Sequence, residues 1–181
     1  MIIQVQHILN LPVILENGKR AGKVRDIWFD EFWTMTAIVL DARVWFRKAA
    51  KVVSWDDVIS CEHDALLIRN DAIITTVDKK QLLRTFHSGV VSIKDMPVYT
   101  KEGQYLGEVA DVYFKKSKGT QVIGYELTDG FLADLMQGRR RLFLPEGPDE
   151  VTLGEDAIMV PVSFERVLEK DHTWKVTGED G

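Results

Sequence analysis

The segment from Gly18 to Phe29, GKRAGKVRDIWF, returns 85 residues later as GQYLGEVADVYF, from Gly103 to Phe114. Gly18/Gly103, Gly22/Gly107, Val24/Val109, Asp26/Asp111 and Phe29/Phe114 are identical, and the neighbours swap Ile for Val and Trp for Tyr. A chain written twice must fold twice. Any architecture allowed to the first half is therefore also required of the second.

The local signals within one copy are those of short strands. Leu11-Pro12-Val13-Ile14-Leu15 is a brief extended run, entered through Gln4 to Ile8 and stopped by Glu16-Asn17-Gly18-Lys19. Asn-Gly is a hairpin signal because both residues tolerate positive φ. Pro12 suits the start of a strand or an edge, where a missing N–H costs little. The second copy repeats this as Met96-Pro97-Val98-Tyr99 and Lys101-Glu102-Gly103. Lys23 to Asp30 is a longer strand whose two faces, Val24/Asp26/Trp28 and Arg25/Ile27/Phe29, are both mixed. Mixed faces fit a small closed sheet, or a strand with a bulge partway along. Thr34 to Leu40 and Ala49 to Trp55 are further strands. A bend at Asp56 to Ile59 follows, and Ala65 to Ile68 closes the copy. Five or six short strands with polar turns predict a small antiparallel barrel, mainly β, in each half, and closure would hide the sheet edges.

Between the copies, Val77 to Phe86 reads as a short helix with Asp78 as N-cap and Leu82 and Phe86 on one face. That apolar stripe predicts a connector packed onto a barrel, with restricted motion between the halves. Ser163 to Leu168 is the matching helix of the second copy. The organisation predicted is a first barrel over 1–76, a helical connector over 77–89, a second barrel over 90–168 and a loose polar tail over 169–181.

The copies diverge after the third strand. Ile68 aligns with Val160 at an offset of 92, so the second copy carries seven more residues there. The first has Trp45, Phe46, Arg47 and Lys48 in this connection. The second has Phe131, Leu132, Leu135 and Met136 at helical spacing, between Asp129 and Gly138, followed by Arg139, Arg140 and Arg141. Both versions set apolar residues beside a basic cluster, a composition suited to an acidic protein partner. The alternative is an apolar face that covers the barrel end, with solvated arginines.

Little in the chain points to catalysis. His7, His63, His87 and His172 share no metal-ligand spacing, and one cysteine, Cys61, permits neither an intrachain disulfide nor a cysteine metal site. Cys61 beside Glu62-His63 reads as a small buried hydrophobe rather than a thiolate. Asp26 and Asp111 are best read as acceptors of backbone N–H bonds at a turn or barrel corner; an acid/base pair would require the barrels to bring them together. Gly18, Gly22, Gly103 and Gly107 lack the Lys-Ser/Thr ending of a phosphate loop and fit turns. No catalytic residue, metal or cofactor is expected. A net charge of −5 argues against indiscriminate nucleic-acid binding. No apolar run reaches the roughly 18 to 20 residues that cross a bilayer, and the first residues do not resemble a signal peptide. A cytoplasmic location is the expectation.

The tandem G-x-x-x-G-x-V-x-D pattern, the preceding L-P-V and M-P-V, and the closing D-A-L-L-I and D-A-I-M-V (Asp64 to Ile68, Asp156 to Val160) resemble the PRC-barrel domain. The likeness covers about residues 5 to 70 and 90 to 162, and Val122 to Leu135 is similar to bacterial proteins built from two such barrels. The resemblance implies two small, mostly antiparallel PRC-type β-barrels in tandem, in a family of assembly and docking modules with no shared catalytic apparatus. It includes the cytoplasmic domain of the photosynthetic reaction-centre H subunit and the C-terminal domain of the ribosome-maturation factor RimM. This chain lacks the membrane helix of the former, and has a second PRC copy where the latter has a different N-terminal domain. The function expected is a non-enzymatic module that binds a protein through the loops after the third strands. The alternative is a ribosome- or RNA-associated maturation factor.

Overall fold

The computed structural model describes residues 2–41, 48–115, 121–130, 138–144, 150–163 and 169–170. The first copy contains β1 (Ile2–Gln4), α1 (Val5–Ile8), β2 (Pro12–Leu15), β3 (Arg20–Phe29), β4 (Met35–Leu40), β5 (Ala49–Ser54), β6 (Val58–Cys61), β7 (Leu66–Ile68) and β8 (Thr75–Asp78). After β9 (Arg84–Thr85) and β10 (Val91–Ser92), the second contains β11 (Pro97–Thr100), β12 (Tyr105–Lys115), β13 (Val122–Thr128), β14 (Arg140–Phe143), β15 (Thr152–Leu153), β16 (Ile158–Val160) and β17 (Glu169–Lys170).

The strand orders are β6-β7-β2-β3-β4-β5-β8 and β15-β16-β11-β12-β13-β14-β17, which correspond term by term. Each main path has one parallel pair, β2 with β7 and β11 with β16, and is otherwise antiparallel. The repetition extends to irregularities. Asn10 and Asp95 both adopt positive φ, and each donates its N–H at 2.8 Å, to the carbonyls of Val24 and Val109 respectively. The register shifts between Val24 and Asp26 and again between Val109 and Asp111. This bulge resolves the mixed faces of the long strand. It resets side-chain parity, so that Val24, Ile27 and Phe29 all enter the core although their spacing is not even. Gly18 and Gly103, at φ +81° and +93°, make the hairpin turns.

The halves are not independent beads. β1 pairs with the far end of β12, setting Ile3 opposite Phe114, while β9 pairs with the far end of β3, setting Thr85 opposite Trp28. Each long strand has β2 or β11 along its first half only. The stretch of edge left open is then covered by the segment that leads into the other copy. An uncovered edge would present unpaired backbone groups. Thr34 and Gln121 add a β-bridge between the copies, and the Trp55 ring meets Phe114 edge-on at 5.9 Å. One continuous buried cluster runs from Ile3, Val5 and Ile8 through Phe29 and Phe86 to Tyr125 and Val160.

Several expectations are corrected. The connector is not a helix: Thr75–Asp78 is a strand on β5, followed by a 3-10 turn at Lys79–Gln81 and then β9. Asp78 does cap that turn, accepting from the Lys80 N–H at 2.9 Å. Leu82 and Phe86 are both buried but in different clusters, and strand pairing satisfies this backbone in place of helical bonds. The lead-in Val5–Ile8 is a helical turn, and Val58 and Ile59, expected in a bend, begin the strand Val58–Cys61. Each sheet curls into a half-barrel whose strand order is an open path among the described residues, and the lead-ins cover the free stretch of each long strand, β12 and β3. Glu169 and Lys170 pair with Arg141 and Arg140 instead of beginning a tail. The helices expected within 131–137 and over 163–168 fall outside the described residues, apart from Ser163.

Candidate functional site

Asp26 and Asp111 follow the bulge in each long strand and are 0% and 2% exposed. A carboxylate buried so deeply needs donors. Asp26 accepts from the N–H of Ile27 at 2.8 Å, of His87 at 3.2 Å and of Ser88 at 2.8 Å, and from the Ser88 hydroxyl. Asp111 accepts from the N–H of Val112 at 2.8 Å and of Gln6 at 3.1 Å. The bulge thus turns each aspartate towards the lead-in of the other copy. His87 and Ser88 precede the second barrel, and Gln6 precedes the first. The expected backbone N–H acceptors are present, but they fasten one half to the other instead of turning a corner. Among the described residues the two aspartates hold separate sets of donors, and no hydrogen bond joins one carboxylate to the other.

The clasps differ in quality. With fewer donors, the Asp111 carboxyl is pushed up to about 6 by burial, with the nearby Glu126 adding to the rise and the two backbone N–H groups and Arg139 opposing it. Its unfolded value is near 3.8. The folded protein therefore holds this proton more tightly than the unfolded chain does. Its stabilising contribution is complete below about pH 4 and lost as pH rises through about 6, by about 3 kcal/mol in all. Asp111→Asn keeps an acceptor oxygen without the charge. It is expected to abolish this part of the pH dependence and to be more stable than wild type above pH 6. Urea titrations of both proteins from pH 4 to 8 measure the difference, and parallel stability curves would refute the assignment.

The outer faces of the two sheets have diverged. On the first, Ala37, Val39, Ala50 and Val52 form a small apolar cluster closed by Leu82, with Trp28 and Val77 packed against it. Strand pairing puts Glu126 at the position of Val39, Arg139 at that of Ala50 and Arg141 at that of Val52, with Tyr113 at that of Trp28. Arg139 bonds Glu126 at 3.1 Å, the Tyr113 hydroxyl lies 3.4 Å from Glu126, and Gln4 donates to that hydroxyl at 3.1 Å. Arg141 lies over the Tyr113 ring, 5.9 Å from its centre. Burial and Glu126 push the Tyr113 hydroxyl up to about 12. Arg140 faces elsewhere, bonding Asp129 and the Leu106 carbonyl.

Of the residues proposed for partner binding, Trp45, Phe46, Arg47, Phe131, Leu135 and Met136 lie outside the described residues. Lys48 is exposed, and its carbonyl accepts from the Lys79 N–H at 2.8 Å. The three arginines are anchored, not simply solvated, and only Arg139 remains half exposed. Gly22 and Gly107 sit beside a second register shift, between Val13/Ile14 and between Val98/Tyr99. Sequence reasoning missed Gln6, His87 and Ser88, which lie far from the aspartates they bind. It also missed the Tyr113–Glu126 pair, for which a signal existed: apolar positions of one copy become charged in the other. Cys61 is buried, and His63 pairs with Asp64 at 3.2 Å in solvent. Among the described residues no group of three or more His, Cys, Asp or Glu is placed to hold a metal, and no helix is long and apolar enough to cross a membrane.

The comparisons agree with this architecture. The chain is 36% identical over 89 residues to the uncharacterized protein YrrD of Bacillus subtilis (strain 168), an alignment covering 44% of this chain and 51% of that protein. The chain thus spans about half the length of the curated relative it matches. The PRC-barrel domain matches twice, over residues 2–82 and 88–167. With the same strand order in each matched half, the chain belongs to the PRC-barrel domain family.

Proposed function

We propose that this chain is a non-enzymatic docking module that binds an acidic protein partner through the connections after β4 and β13, the second of them dominant. The observation that supports this most is the outer face of the second sheet. There Glu126, itself 8% exposed, fixes Arg139 at the base of the longer connection, and Tyr113 carries Arg141. Arginine and aromatic side chains held in place before binding lose little freedom on binding, a property of interface hot spots. The carboxylates shared by both copies accept hydrogen bonds that hold the halves together, which supports a structural task for them.

Replacing all three arginines would confuse binding with folding, since Arg140 and Arg141 brace the sheet. The cleaner variant deletes the seven extra residues of the second connection. Partners recovered with the intact chain are then tested as purified proteins against both forms. Loss of binding with an unchanged melting temperature is expected. Equal affinity of both forms would reject the proposed surface.

A further inference from the structure

A cleft of about 290 Å³ opens on the first copy beside the Asp26 clasp, lined by Asn10, Lys23, Val24, Arg25, Asp41 and His87. Its backbone is already engaged: the Asn10 N–H donates to the Val24 carbonyl and the Asp41 N–H to the Lys23 carbonyl, both at 2.8 Å. The chemistry offered to a ligand therefore belongs to side chains. Lys23 and Arg25 are exposed and form no ion pair among the described residues. Arg25 is the extra residue of the bulge, which turns it outward while Asp26 turns in. The His87 Nδ1 lies 3.4 Å from Asp26 Oδ1, so the clasp orients the ring and leaves Nε2 for the cleft. Asp41 is the one carboxylate in the lining.

The second copy provides an internal control. On the same backbone frame, Glu108 replaces Lys23, Ala110 replaces Arg25 and Asp95 replaces Asn10. There Lys94 is paired with Asp95 at 2.6 Å. Gln6 stands where His87 does, and its side-chain amide is spent on the Ala110 carbonyl at 2.7 Å. The fold does not demand cations at these positions; the first copy alone has gathered them around a concavity.

We propose that this cleft binds a phosphate-bearing small molecule, its phosphoryl oxygens facing Lys23, Arg25 and His87. Two permanent cations and an imidazole match a dianionic group better than a monovalent carboxylate, and arginine and lysine are complementary donors to phosphate oxygens. The test is an amide NMR titration of the intact ¹⁵N-labelled chain at fixed ionic strength. Inorganic phosphate and glycerol 3-phosphate are the probes, with acetate as the control. Saturable shifts centred on Asn10, Lys23 to Arg25, Asp41 and His87 are expected with at least one phosphate probe, and the tighter of the two tells a free ion from a phosphomonoester. Lys23→Glu and Arg25→Ala each install the residue the second copy carries there, so both should melt like wild type. Each is expected to weaken binding by about tenfold or more. Shifts that never saturate, that acetate reproduces, or that survive both substitutions would overturn the proposal.

Discussion

Cut after Leu82, where the first family match ends, the two halves will each fail to melt cooperatively when expressed alone. The cut leaves β1 and α1 with the first half, separated from the β12 edge they cover. It leaves β9 and Phe86 with the second half, separated from β3. Ile3, Val5, Ile8 and Phe86 all belong to the shared core, and Asp26 and Asp111 both lose their donors from the other copy. Burial of a large apolar side chain is worth about 1.5 to 3 kcal/mol. Removing several such contacts, an edge pairing and a clasp rivals the whole net stability of a small domain, about 5 to 15 kcal/mol. Circular dichroism melts of each half, and of the two mixed, measure this. Recovery of a sharp transition only in the mixture is expected. Two halves that each melt like the intact chain would show the exchange of lead-ins to be ornamental.

The second large effect is Asp26→Ala. It leaves the Ile27 and His87 N–H groups and the Ser88 hydroxyl without their acceptor, while the Ser88 N–H retains Thr85 Oγ1 at 2.9 Å. Ile27 is fully buried, so no water replaces the lost oxygen there. A buried group stripped of its partner costs about 1 to 3 kcal/mol, and bonds to a charged acceptor are the stronger ones, so a loss of about 3 to 5 kcal/mol is expected. Asp26→Asn keeps one acceptor oxygen and should cost markedly less. Chemical denaturation of the three proteins at one pH ranks them. An alanine variant within about 0.5 kcal/mol of wild type, the range of a surface substitution, would show the clasp to be dispensable. The contrast with Asp111, where removing the charge is expected to help above pH 6, follows from the donors each carboxylate holds.

Repetition at an offset of 85 was enough to establish two like folds, their β character, the turn glycines and the family. These properties are local, because turn chemistry and strand patterning act within a few residues and each is written twice. The apolar residues Leu82 and Phe86 were legible as buried, but a helix and two short strands can both bury them, and the choice was made by edges on β5 and β3. Only the tertiary structure decided what the paired aspartates hold. Asp26 reaches His87 and Ser88, and Asp111 reaches Gln6, across separations that no motif spans. The cleft at Lys23 and Arg25 is likewise a product of assembly, since the lead-in of one copy supplies His87 to the wall of the other.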